Sequence, residues 1–301
     1  MAIAHTGAHE ADVGDVEHLH GSREELLDAD GPVERWRPDA LVDTFPGGAT
    51  AWKAEQLGAC GTRSGARQVV AISSMDVYQY LLDAGIGHDN PGTPVPRAPL
   101  PIHEDAPLRA GPYPGAEAVE GGGVHDNVAA EAALAGAFAG RVTVLRPGAI
   151  YGPHPDSRER AIVEMVRAGQ EVVALPDGGD QLFHRVAVER VGRAVAAAIE
   201  RAPEGFWACN VGDPQDFTYG GLVHEIARLL GWEFRYEHAE ADHPWRGRHP
   251  VLCDTRRLED VLGVREPDPL LALEECVRWL WEHPQPGRFA PGLRPAPKKP
   301  V

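Results

Sequence analysis

Two short, uninterrupted apolar runs constrain this chain more than any other feature: Gln68–Ile72 (QVVAI) and Arg141–Leu145 (RVTVL). A strand with one wet face alternates apolar and polar residues. These runs hardly do, so both of their faces are buried. Each follows a helical pattern, Ala51–Leu57 before the first and the Ala-rich Asn127–Phe138 before the second. Buried strands separated by helices predict a parallel sheet covered on both sides. The expected fold class is α/β, a Rossmann-like doubly wound parallel sheet with a smaller C-terminal lobe.

The remaining elements fit that plan. Ala2–Ala4, Val16–Leu19 and Ala40–Asp43 read as strands. Ser22–Leu27 opens like a helix, with a serine cap and early acids. Arg158–Ala168, Val188–Ala202, Gly221–Leu230 and Leu270–Glu282 read as helices. Residues 85–122 are rich in Gly and Pro and long for a plain connection, which marks a functional or mobile loop. The expected organisation is a Rossmann-like domain over 1–170, a mixed substrate lobe over 171–285 with segments returning to the core, and a disordered Pro-rich tail over 286–301.

A net charge of −16 argues against nucleic acid and anionic membrane surfaces as partners. No apolar run approaches ~18 residues, so no membrane span is expected. The start lacks a basic segment followed by an apolar core, so no signal peptide is expected. Four cysteines without C-x-x-C spacing fit a reduced, cytoplasmic compartment. His18-x-His20 invites a metal reading, but the sequence offers no convincing third ligand, and a plain strand or loop role is expected instead.

Four segments occur in one order: VVAISSMDVYQ (69–79), VTVLRPGAIYGPHPDSRER (142–160), HRVAVERVGRAVAAAIE (184–200), and NVGDPQDFTYGGLVHEIARLLG (210–231) followed by DTRRLEDVLGVREP (254–267). Together they resemble the extended short-chain dehydrogenase/reductases, the NAD-dependent epimerase/dehydratase family. The resemblance implies NAD or NADP as cofactor. It also implies a small-molecule substrate of nucleotide-sugar or secondary-metabolite type, and a homodimer built on the Ala-rich helix.

Against that family two motifs are missing. The first is the G-x-x-G-x-x-G turn that lets a backbone approach a pyrophosphate at a helix N-terminus. The start, AIAHTGAHE, already resembles the family's second strand, so the first βα unit is absent from the pattern. Either the coding sequence begins further upstream or the sheet has closed around the loss; otherwise two strand edges face each other unpaired. Gly58, Gly61 and Gly65 give a spaced glycine pattern in the wrong context, and read as a helix C-cap and turn. The second missing motif is Tyr-x-x-x-Lys. Aligning Val128–Glu131 on the family helix puts Gly123 at the Tyr position and Asn127 at the Lys position. The only lysines are Lys53, Lys298 and Lys299, so no shift of alignment restores the pair.

The resemblance leaves several candidates. Ser74 matches the family Ser/Thr that bonds the substrate oxygen; its plainer role is a strand-end serine satisfied by backbone. Asp76 stands where the family's dehydratases carry an acid/base carboxylate; otherwise it is an acid favoured at a helix start. Tyr113 is the loop tyrosine able to enter the vacant place, and His125, at the start of the Ala-rich helix, is a candidate proton donor beside it, its plainer role a solvent-facing helix N-terminus. Asn127, Arg146, Pro147 and Tyr151 are the positions expected to line the cofactor. Tyr78 is expected to pack. Arg158, Arg160 and Arg185 suit an anionic substrate, although for most of them a solvated surface position is expected. Three functions stay open: a divergent epimerase/dehydratase, a cofactor-independent isomerase, cyclase or lyase, and a non-catalytic ligand binder.

Overall fold

The computed structural model describes residues 1–5, 16–86, 92–93, 95–116, 118–119, 122–237, 249–265 and 269–284. The chain opens with β1 (Ala2–His5) and β2 (Glu17–His20), which pair in parallel. α1 (Arg23–Leu27) follows, started by a capping box. Ser22 accepts from the Glu25 amide and the Glu25 carboxylate accepts from the Ser22 amide. Next come α2 (Pro32–Trp36), β3 (Ala40–Asp43), α3 (Ala51–Ser64), β4 (Gln68–Ile72), α4 (Gln79–Asp83) and α5 (Asn127–Ala137). After these lie β5 (Arg141–Pro147), β6 (Ala149–Tyr151), α6 (Arg160–Arg167), β7 (Val172–Ala174), β8 (Arg185–Ala187) and α7 (Val188–Arg201). β9 (Phe206–Val211), α8 (Tyr219–Leu230), β10 (Arg235–Glu237), α9 (Arg256–Asp260) and α10 (Pro269–Glu282) complete the described elements.

The central sheet has the order β3-β4-β5-β9, all parallel. Its residues feed two layers in turn. Val69, Ala71, Val142, Val144 and Ala208 pack with α3 and α5, through Ala54, Leu57, Ala130 and Leu134. Val70, Leu145, Cys209 and Val211 point the other way, onto Val191, Ala194 and Ala198 of α7. That two-sided burial is what the continuous apolar runs require. A third cluster joins α6, α8 and α10 through Ile162, Val163, Leu222, Ile226, Leu273 and Leu280.

β1 and β2 form a sheet of their own, and among the described residues no ladder joins them to β3. Among the described residues β3 pairs on one side only, with β4, and Val42 is exposed. The glycine pattern at 58–65 is not a turn. α3 continues through it to Ser64, and only Gly65, at φ +76°, ends the helix. Gly58 and Gly61 serve packing: a β-carbon on Gly58 would lie 2.7 Å from that of Ala137 on α5. The helices approach closely there, which offsets the cost of about 1 kcal/mol for a mid-helix glycine.

The described part of the 85–122 segment is anchored rather than loose. Ile102 is buried and exchanges backbone bonds with Leu252 and Asp254 (2.7 and 2.8 Å). Residues 286–301 lie outside the described residues. Among the described residues no helix is long and apolar enough to cross a membrane. All four cysteines are buried and unbridged.

Candidate active site

The site forms where β3 and β4 end and α5 begins, the strand ends at which open α/β sheets hold ligands. Ser73 extends the β4 ladder by donating its amide to Leu145 O (2.7 Å). The chain then makes one 3-10 turn, Met75–Val77, capped by Ser74, whose Oγ accepts from the Asp76 amide (3.1 Å). The turn sets the Asp76 carboxylate at the sheet edge, where its side chain keeps 21% of its exposure. On the neighbouring strand, the loop after β3 is tied down from two sides. Asp43 accepts from the Phe45 amide (2.7 Å), and Lys53 Nζ donates to Pro46 O (2.8 Å) and Gly48 O (3.0 Å). This loop then grips the start of α5. The Ala49 amide donates to His125 Nδ1 (3.0 Å), and the Asp126 amide donates to Ala49 O (2.9 Å).

Two candidates named from sequence converge on the carboxylate of a third, Asp76. Asn127 Nδ2 donates to Asp76 Oδ1 (3.0 Å), and His125 Nε2 lies 3.7 Å from Asp76 Oδ2. Because Nδ1 of His125 accepts from a backbone amide, the neutral ring carries its proton on Nε2, facing Asp76. The 3.3 Å approach of Asn127 Nδ2 to that nitrogen brings two donors together, so it is a contact and not a bond. Asp76 thus has one oxygen satisfied by an amide and one facing an N–H just beyond bonding reach.

Tyr113 also arrives, but not as an acid. Its hydroxyl donates to Asp76 O (3.1 Å) and its ring lies under the Arg109 guanidinium at 4.3 Å. Burial, and then the Asp76 charge, push its pKa far up. Ser74 has a capping role and is half-buried. Arg109 was not legible in the sequence. Buried, it donates through Nε to Asp76 O (2.6 Å) and sits 3.6 Å from Asp76 Oδ1 and 3.5 Å from Asp126 Oδ1. A single arginine inside a Gly/Pro-rich segment carries no local signal of this.

The vacant motif has a backbone cause. Val119, Gly122 and Gly123 form a tight turn, with Gly123 at φ +84°. α5 starts only at Asn127, with Asp126 as its cap. Positions 123 and 127 therefore do not share a helical face, and 123 has a conformation that a tyrosine rarely adopts.

The expected cofactor-lining residues behave differently from expectation. Arg146 is buried in a two-pronged pair with Glu131 (Nε–Oε1 3.0 Å, Nη2–Oε2 2.6 Å), and donates Nη1 to Tyr78 Oη and Glu104 O, each at 3.1 Å. Pro147 is a buried ladder residue opposite Val211. Tyr151 is buried, donating its hydroxyl to Asp213 Oδ2 (2.8 Å). These three are turned into the core, where Arg146 and Tyr151 are satisfied by side chains and carbonyls of other elements. Tyr78 packs as expected, its hydroxyl donated to Asn210 (2.6 Å). Arg160 and Arg185 are core residues and not solvated ones. Arg185 is shared between Asp216 (2.7 Å) and Glu159 (3.0 Å), while Arg160 donates to Pro155 O (2.7 Å). Arg158 stands 5.7 Å from the Phe183 ring centre.

No protein-family model and no curated protein matches the chain. Solved structures do. MoeE5 in complex with UDP-glucuronic acid and NAD superposes with a TM-score of 0.63 at 20% identity, covering 89% of this chain and 87% of that one. UDP-glucose 4-epimerase from Thermotoga maritima, with UDP-glucose, gives 0.64 at 15% identity, covering 93% and 90%. RMD from Pseudomonas aeruginosa, complexed with NADPH, gives 0.61 at 19% identity, covering 90% and 91%. At these identities the likeness shows the fold. The chain carries the Rossmann-like α/β architecture that nucleotide-sugar epimerases of the extended short-chain dehydrogenase/reductase type use.

Proposed function

We propose that this chain is a small-molecule enzyme of epimerase/dehydratase type in which Asp76 and His125 carry proton transfer. The substrate is of nucleotide-sugar size, and the observation that carries the reading is the meeting of Asp76, His125 and Asn127 at the sheet edge. The fold likeness suggests NAD or NADP. Of the four positions expected to hold it, three are turned into the core and Asn127 gives its amide to Asp76. Among the described residues these four positions supply no donor set for it, and no hydride step is assigned to them.

The chain's own residues support acid–base work. Asp76 Oδ2 is the free oxygen and takes a proton from substrate carbon. The electron pair of the broken C–H bond moves into an adjacent carbonyl, whose oxygen accepts from His125 Nε2–H. Reprotonation of that carbon from the opposite face, by solvent, completes an epimerisation, while return from Asp76 to the same face restores the substrate. Expulsion of a neighbouring hydroxyl as water completes a dehydration instead. Asn127 fixes Asp76, and the Ala49 amide fixes the ring tautomer of His125. A homodimer is part of the same proposal, tested by sedimentation.

The test is proton exchange. Keto nucleotide sugars are incubated with the full chain in D2O, and loss of ring C–H signals is followed by NMR. Exchange is expected with at least one substrate, and Asp76→Asn should slow it by about 10²–10⁴-fold. Calorimetric titration with NAD(H) and NADP(H) accompanies it. Full exchange in both Asp76→Asn and His125→Ala would remove these residues from the chemistry.

A further inference from the structure

The strands β1 and β2 carry a group of side chains that the proposed chemistry does not use. Their parallel register sets His5 directly opposite His20 and Ile3 opposite His18. Side chains two apart on a strand share a face, and so do directly paired residues. His5, His18 and His20 therefore rise from one face of this two-stranded sheet. Their rings gather: centroids lie 4.4 Å apart for His5 and His20, 5.2 Å for His5 and His18, and 6.0 Å for His18 and His20. His5 Nε2 and His18 Nδ1 stand 2.9 Å apart, and one nitrogen from each of the three rings lies within 4.8 Å of the others. The third ligand that the His18-x-His20 spacing lacks comes from the other strand, 13 residues earlier than His18.

We propose that His5, His18 and His20 form a binding site for a late first-row divalent transition metal, of the Zn2+ or Co2+ class. Nitrogens bound to a tetrahedral ion at about 2.1 Å stand roughly 3.4 Å from one another. The observed spacing brackets that value, so side-chain rotation alone brings the ligands into place. An all-imidazole set without a carboxylate selects against Mg2+ and Ca2+, which take oxygen ligands. His20 is exposed and the other two are half-buried, so the fourth position opens to solvent and takes a water. The net charge of −16 favours a cation anywhere on this surface.

The metal has a structural task there. β1 is held to β2 by a four-residue ladder alone and joins no other sheet among the described residues. Two-stranded pairings are marginal by themselves. An ion that bridges His5 to His18 and His20 pins the first strand to the second, and its binding energy adds to the stability of that pairing.

The test uses the untagged, chelator-stripped full chain, titrated calorimetrically with ZnCl2 and, by visible absorption, with CoCl2. One equivalent should bind, and Co2+ should give the ligand-field bands of a tetrahedral nitrogen site. His5→Gln, His18→Gln and His20→Ala should each weaken Zn2+ binding by about a hundredfold, since even outer-shell changes cost 10–100-fold. His154→Ala, at an exposed histidine elsewhere, should leave it unchanged. Circular dichroism confirms that each variant is folded, and exposed His20 supplies a variant at the surface of the strand pair. Absence of a one-equivalent site in the wild type overturns the proposal. So does wild-type affinity in His20→Ala together with either glutamine variant.

Discussion

Removing the carboxylate of Glu131 should cost far more than removing a surface acid, because Arg146 has nowhere else to put its charge. The guanidinium is 3% exposed, and Glu131 receives both Nε and Nη2 at 3.0 and 2.6 Å. Glu131 also accepts from Ser73 Oγ at 2.5 Å. Burial alone pulls the Arg146 pKa down; the Glu131 partner outweighs it and the net direction is up. Glu131→Ala strands a buried cation and a hydroxyl, and breaking such a pair costs about 3–5 kcal/mol. The double replacement Glu131→Leu with Arg146→Met removes both charges. It loses the Nη1 bonds to Tyr78 and Glu104 O, but Tyr78 keeps its bond to Asn210. The Ser73 hydroxyl is orphaned in either variant; the one further group orphaned here, the Glu104 carbonyl, costs about 1–3 kcal/mol, and apolar replacement of a buried pair is otherwise near neutral. The double variant should therefore be more stable than Glu131→Ala, with a coupling of about 2 kcal/mol or more between the sites. Urea denaturation with a constant m-value measures this. Additive single effects, or a loss under about 1 kcal/mol for Glu131→Ala, would refute the claim that Arg146 is a core residue and return it to the ligand cleft.

Restoring the absent motif should not restore its chemistry. Gly123→Tyr with Asn127→Lys should show no NAD-dependent oxidation of UDP-sugars. The first change should cost about 1–2 kcal/mol through its left-handed backbone, read as a lowered melting temperature. Glu104 gives a pH prediction. Its carboxyl is buried, and burial lifts its pKa above the ordinary 4.5. The folded state then holds the proton more tightly than the unfolded one. Its stabilisation is whole below pH 4.5 and is lost as pH rises through the folded pKa. Glu104→Gln cannot titrate, so the wild type should lose stability relative to this variant across that window, and parallel pH profiles of the urea midpoint would contradict it. The cysteines give a third. Burial pushes the Cys276 thiol up to about 12, and raises Cys60, Cys209 and Cys253 as well. All four should resist a thiol reagent at pH 8 until denaturant is added; fast labelling of the native chain would sink this.

What could be read in the sequence depended on how local its physics was. QVVAI and RVTVL announce strands buried on both faces within five residues, and the sheet follows. Ser22 with Glu25 announces a helix start three residues apart. Gly58 was misread because its reason lies on another helix, at Ala137. Asp76, His125 and Asn127 could be named because the resemblance points to their segments, and the Asp76–Asn127 contact spans 51 residues that no periodicity bridges. His5 was missed as a partner of His18 for the same reason: strand register, not spacing, brings them together.

The arginines show the limit most clearly, and they bear on what the site can hold. Sequence displays a charge but not its partner. Arg146 meets a carboxylate 15 residues away, and Arg185 meets two, 26 and 31 residues away. Spent inside the fold, neither offers charge to an anionic ligand. Arg109, the cation beside Asp76, is itself buried and already donates to Asp76 O and Gly111 O. With Asp126 also alongside, an anionic group placed against Asp76 would meet two carboxylates and no free guanidinium among the described contacts. At an effective dielectric of about 20, like charges 4 Å apart repel by about 4 kcal/mol. If the proposed function holds, the end of a substrate that reaches Asp76 is its neutral end, the carbon and hydroxyl groups of a sugar rather than its phosphates. Inorganic phosphate and pyrophosphate should accordingly fail to compete with a neutral carbonyl sugar for protection of His125 from carbethoxylation, and competition by either would mean that the charge at this edge has been misjudged.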